Sequence, residues 1–185
     1  MNIQNRKNMK NKRSNRSTNG KNTEFYIVYT VVFLLIALFL YLRFYLNGKS
    51  LVWSHDGVPQ HLNSLSYYGR YLRGILYTIF VAHRFSIPMW DLHIGYGSDI
   101  LTTLHYYVIG DPLTLLSVFC PSSKTEILYE FLIFLRIYLA GIAFSRYCFY
   151  HKNSRQATFM GCMIYIFAGW TIYAAMKHPY FSNPM

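Results

Sequence analysis

Apolar residues run from Phe25 to Leu46 with only Thr30 and Arg43 to interrupt them. At about 1.5 Å per residue, a helix of that length covers the roughly 30 Å hydrocarbon layer of a bilayer. Two further runs, 126–150 and 157–176, have spanning length, with Arg136 near the middle of the first. Between the first and second runs lies a long mixed stretch, 47–125. Within it, apolar positions 62, 65, 68, 72, 75, 76, 79 and 80 make a helical stripe. Arg70 and Arg73 sit one turn apart on this segment, and Asn63 and Ser66 interrupt its apolar surface. The stripe fits an amphipathic helix in the membrane interface whose cations meet lipid phosphates. It equally fits a helix packed on neighbouring spans with solvated arginines. Pro88, Trp90, Gly95 and Gly97 mark 83–99 as loop. Segment 100–109 is apolar but too short to span, and Gly110-Asp111-Pro112 turns the chain before 113–119 resumes, so a re-entrant or interfacial piece is expected. Asp99 stands where it would cap that piece. The pattern predicts an all-α integral membrane protein with three transmembrane helices and a long extracytoplasmic loop carrying amphipathic or re-entrant helices.

Composition agrees. The chain is 53% hydrophobic, 19% aromatic and only 14% charged, against about 25% charged for soluble domains. Its net charge of +11 looks like a nucleic-acid signal until its placement is considered. Seven of the 18 Lys and Arg residues fall in the first 21 positions, with no acid among them. A basic tail before an apolar run orients a membrane protein, so no nucleic-acid partner is expected and the N-terminus is placed in the cytoplasm. Residues 1–23 have no apolar periodicity and are expected to be disordered. A cleaved signal peptide is the rival for the first run, but the run is too long and no small-x-small site follows it. The short basic loop 151–156 falls on the same side as the tail, giving a multi-pass cell-membrane topology with 47–125 outside. Cys120, Cys148 and Cys162 have no metal spacing, and two of them lie inside apolar runs as buried thiols would.

All four aspartates, two of the three tryptophans and five of the seven histidines lie within 47–112. Asp56, in a Gly- and Pro-punctuated loop just past the first run, has the chemistry of a general base toward an acceptor hydroxyl, or of a ligand orienting Mg²⁺ or Mn²⁺. Asp-Gly is also a common turn dipeptide, and by pattern alone the turn is the better account. His55 and His61 have no zinc spacing. Arg136 is the stronger signal, because a cation inside a span must pair or serve a pathway. Glu130, or a carboxylate on a further span, would be its structural partner; a phosphate reaching in from the interface would be its ligand. Trp53 and Trp90 suit either an aromatic belt or sugar stacking. No phosphate-binding loop, nucleophile elbow or zinc-protease motif occurs. The three spans end soon after leaving the membrane, with no polar tail, which suggests a fragment of a longer protein.

Gly48-Lys49-Ser50-Leu51-Val52-Trp53-Ser54-His55-Asp56-Gly57-Val58-Pro59-Gln60-His61 resembles the bacterial YfhO family of multi-spanning membrane proteins. So do Phe85-Ser86-Ile87-Pro88-Met89-Trp90-Asp91 followed by Gly95-Tyr96-Gly97-Ser98-Asp99, and the final His178-Pro179-Tyr180-Phe181-Ser182-Asn183-Pro184-Met185. The resemblance covers about 25–185, making 24–185 the N-terminal part of a multi-spanning domain. Members of that family are similar to GT-C glycosyltransferases, which take a sugar from a polyprenyl-phosphate carrier on the outer face and pass it to a cell-envelope acceptor. The resemblance implies that Asp56 is the essential acid of the first outer loop, with Asp91 and Asp99 as further candidates. Gln60, His61 and His178 would then position substrate, and Arg70, Arg73 or Arg136 would meet the lipid phosphate. A polymer such as lipoteichoic acid is the expected acceptor, and a divalent cation the one cofactor considered. A non-enzymatic transporter or assembly subunit for lipid-linked sugars is the alternative expectation, as is an inactive truncated fragment.

Overall fold

A computed structural model describes residues 3–177, with side chains from 23 to 174. Helix α1 (Ile3–Leu46) contains the first apolar run. Its backbone is helical from Ile3, where the pattern predicts disorder over 1–23. No proline lies in that stretch to break a helix running back from the apolar run. Phe25, Tyr29, Phe33 and Ala37 recur every fourth residue and are buried, a single helical face. The opposite face is bare, with Leu35 63% and Phe39 64% exposed. Such a surface is stable against lipid and not against water. The helix ends at Asn47-Gly48, where Gly48 adopts φ +61 and Lys49 N–H donates to the Phe44 carbonyl. Glycine takes that left-handed geometry without Cβ strain.

The buried face of α1 lies on α4 (Thr125–Tyr150). Tyr29 Oη donates to the Tyr138 carbonyl at 2.9 Å, and Thr30 Oγ1 meets Tyr138 Oη at the same distance. The fit depends on Gly141, since a Cβ there would stand 2.1 Å from Tyr29 Oη and 3.0 Å from Cys162 Sγ. Gly141→Ala is expected to lower stability by about 1–3 kcal/mol through overpacking, visible as a lower thermal midpoint in detergent. An unchanged midpoint would mean that the contact is not tight.

Helix α5 (Arg155–Ile166) packs back on α4, with Cys162 Sγ 3.2 Å from the Gly141 carbonyl. The third expected span is not one continuous helix. It is α5, a break at Phe167-Ala168, and α6 (Gly169–Lys177). Gly169 has little preference for helix, and Thr171 Oγ1 donates to the Tyr165 carbonyl across the break at 2.9 Å. Two helices among the described residues, Thr23–Leu46 and Ser122–Tyr150, are long and apolar enough to cross a membrane.

The stretch between α1 and α4 folds as a cap and a hairpin. A π-helical turn (Gly57–Leu62) leads into α2 (Asn63–Phe80). Strands β1 (Trp90–Asp91) and β2 (Ser98–Asp99) pair antiparallel, with Trp90 opposite Asp99, inside the stretch whose pattern reads as loop. Then α3 (Ile100–Leu104) and a π segment (His105–Ile109) descend to Gly110-Asp111, and a 3₁₀ helix (Pro112–Phe119) returns. The 3₁₀ helix and α2 touch closely, because a Cβ on Gly69 would come within 2.7 Å of the Ser117 carbonyl oxygen. The three cysteines are free thiols, and Cys148 and Cys162 are buried.

Candidate functional site

Asp56 sits ten positions past the end of α1, at the start of the π turn. Its backbone carbonyl makes the turn, accepting from Gln60 N at 3.1 Å and His61 N at 3.2 Å. Its side chain caps nothing. Among the described residues, the partly exposed carboxylate meets only Gln60 Nε2, at a long 3.4 Å, and the other end of that amide accepts from Tyr107 Oη at 3.1 Å. Gly57 follows because a Cβ there would press on Trp53 Cβ at 3.1 Å. The Trp53 and His55 rings stack 5.5 Å apart beside this turn. Asp56, Gln60 and Tyr107 therefore form one polar group, joined from two segments distant in sequence.

His61, assigned above to substrate, is only 3% exposed. Its ring stands edge-on to Tyr107 with centroids 5.3 Å apart, which makes it a core residue beneath the turn. Arg70 is exposed, its guanidinium 6.0 Å from the centre of the Tyr67 ring. Arg73 is spent on the fold: Nη1 donates to the carbonyls of Ser117 and Cys120 at 2.9 and 2.6 Å. That ties the end of the 3₁₀ helix to α2, adding a second donor to the Ser117 carbonyl, which already accepts from Cys120 N at 3.2 Å. Asp99 caps α3 by accepting from Thr102 N at 2.7 Å, which holds its carboxyl below the usual range. His178 lies outside the described residues.

Asp91 ties the hairpin to α2. Tyr67 Oη donates to its Oδ2 at 2.5 Å, while His93 N and Nδ1 both stand 2.8 Å from Oδ1. The Tyr67 bond first, and the His93 bonds after it, pull the carboxyl down to about 2. A depressed folded pKa stabilises above the unfolded value of about 3.9 and is lost as pH falls through the folded one. The hairpin is therefore expected to stay docked down to about pH 2. A single-tryptophan variant keeping Trp90, titrated from pH 5 to pH 1, checks this; an emission change centred at an ordinary aspartate pKa would refute it.

Arg136 is the residue that pattern alone singles out, and its partner is Asp111. Its Nη2 donates to Asp111 Oδ2, with side chains 5% and 2% exposed. Asp111 Oδ1 also accepts from Leu113 N at 2.9 Å, starting the 3₁₀ helix. Glu130, the expected partner on the same helix, is committed elsewhere: it accepts from Ser50 Oγ at 3.0 Å and Leu51 N at 2.9 Å. Tyr41 meets Phe134 and Phe33 meets Tyr138, with centroids 6.5 and 5.2 Å apart, so Arg136 lies level with the middle of the α1 apolar run. It is also about 17 Å along α4 from Thr125, at about 1.5 Å per residue. The tip of the 100–119 hairpin thus reaches half-way down the spanning helices, its charge neutralised there by Arg136. Sequence reasoning treated Gly110-Asp111-Pro112 only as a turn. The available signal was Arg136 itself, which required a buried carboxylate, and Asp111 is the one at the end of an apolar re-entrant piece.

An apolar groove of about 550 Å³ runs between α1 and α4, lined by Phe33, Ala37, Tyr41, Phe131 and Phe134, with Glu130 as a polar lining residue. Among the described residues, no three His, Cys, Asp or Glu side chains converge as a metal site would require.

Long apolar helices with a bare lipid-facing side, and an ion pair buried at their mid-depth, define a helical membrane protein. The family model described as bacterial membrane protein YfhO matches residues 28–183, and the chain belongs to that family. No curated protein matches the chain significantly, and no solved structure does.

Proposed function

We propose that this chain supplies the first loop of a membrane glycosyltransferase. It would move a sugar from a polyprenyl-phosphate donor to a cell-envelope polymer such as lipoteichoic acid, on the outer face of the membrane. The observation that carries the reading is the Asp56 carboxylate, partly exposed past the end of α1 and steadied by Gln60 and Tyr107. As a general base it takes the proton of the acceptor hydroxyl. The freed oxygen attacks the anomeric carbon, the bond to phosphate breaks, and polyprenyl phosphate leaves. Arg70, exposed on α2 with only a long 3.5 Å bond from Nη1 to Ser66 Oγ, is the cation for that phosphate, since the Arg73 Nη1 and Arg136 Nη2 groups are more tightly engaged. The stacked Trp53 and His55 offer a platform for a sugar face. A divalent cation at Asp56 would rest on one protein carboxylate and otherwise on substrate or water oxygens.

The groove between α1 and α4 favours a lipid-linked substrate but does not require transfer, and it supports the second reading, a transporter of lipid-linked sugars. One experiment separates the two. Polymer-bound sugar and lipid-linked sugar exposed on the outer face are measured in cells carrying Asp56→Asn. Transfer predicts loss of the first with the second retained or raised. Both unchanged sinks the assignment of Asp56, and loss of exposed lipid-linked sugar favours transport.

A further inference from the structure

Beneath the Asp56 turn is a small, partly enclosed cavity of about 10 Å³, lined by His61, Tyr107, Thr114, Tyr129, Leu132 and Arg136 among others. That is the space one water molecule needs. Two of its lining residues carry buried atoms with no hydrogen-bond partner among the described residues, Tyr129 Oη and Arg136 Nε, and these residues are only 3% and 6% exposed. Leaving such groups bare destabilises the fold. We infer that the cavity is a single-water site, and that the water fastens the 3₁₀ helix at the tip of the re-entrant hairpin to α4, beneath the turn carrying Asp56.

The hydrogen-bond inventory closes around one water. Arg136 Nε–H can only donate, so the water accepts there. The Thr114 hydroxyl points its hydrogen at the carbonyls of Val108 and Asp111, both 2.6 Å away, which leaves an oxygen lone pair to accept. Tyr129 Oη accepts the second water hydrogen or donates to its remaining lone pair. Three partners is the usual number for a buried water. The partners come from the 3₁₀ helix and α4, while His61 from the π turn forms part of the wall. The site thus lies where three elements meet, and it does not depend on what reaction the loop performs.

Tyr129→Phe in the full chain, purified into nanodiscs, tests this, because phenylalanine keeps the ring and the fold. A hydroxyl that holds a water predicts a thermal midpoint lower by roughly 2–4 °C, about one hydrogen bond for a chain of this size. A hydroxyl with no partner predicts an unchanged or higher midpoint. An experimental density map of the unaltered chain supplies the second measurement. A peak within hydrogen-bonding distance of both Tyr129 Oη and Arg136 Nε is expected. A dry cavity, or a midpoint that does not fall, overturns the inference.

Discussion

Arg136→Met is expected to cost about 3–5 kcal/mol of stability, because it strands the Asp111 carboxylate inside the protein without a counter-charge. Asp111→Asn should do comparable damage by stranding the guanidinium, although the asparagine oxygen still accepts from Leu113 N. Against a total stability of about 5–15 kcal/mol, either change threatens the native state. The pair is buried at the level where the α1 apolar run is half crossed, so neither charge has water to turn to. The combination of both substitutions removes both charges, and it should recover most of the loss of either alone. Thermal unfolding of the four proteins of this double-mutant cycle measures the coupling. Single variants within about 1 kcal/mol of the parent, or a double variant as damaged as the sum of the two, would show that the pair is not a neutralising one.

Asp56→Ala is expected to reduce sugar transfer about 10²–10⁴-fold, the usual loss when a general base is removed, while leaving the thermal midpoint nearly unchanged. The two halves of this expectation matter together. Were Asp56 only a turn residue, its removal would loosen the turn and lower stability. Its side chain caps nothing and makes one 3.4 Å contact, while the turn is held by its backbone carbonyl, which alanine keeps. Steady-state rates with a polyprenyl-phosphate sugar and differential scanning of the same preparation measure both. A fall in midpoint with the rate preserved would return Asp56 to a purely structural role.

Particular residues show why some of this was legible beforehand and some was not. Hydrophobic periodicity finds α1, α2 and α4, because each buries one helical face and leaves a long apolar record. Arg136 announces that it needs a partner, since a charge among apolar residues has few other reasons to exist. The choice of partner fails on geometry. Glu130 lies six positions earlier on the same helix, which is about 120° around the axis, and it faces the chain leaving α1. Asp111 escapes notice because a Gly-Asp-Pro turn explains its letters completely, and a local explanation conceals a contact 25 positions away. Hydropathy likewise passes over the break at Phe167-Ala168, which keeps the run apolar while interrupting its helix. Asp56 stands apart from the other aspartates on family resemblance, and its unspent side chain is visible only in three dimensions.

The pairing of Asp111 with Arg136 also sets an order of assembly. Asp111 precedes its counter-charge by 25 positions, so the ribosome delivers the acidic tip before the helix that neutralises it. Until α4 is inserted, the tip has no favourable place at the depth it finally occupies. The hairpin is therefore expected to settle against α4 only once that helix is in place. On that expectation this loop docks late onto a finished membrane helix, rather than inserting in the order of synthesis.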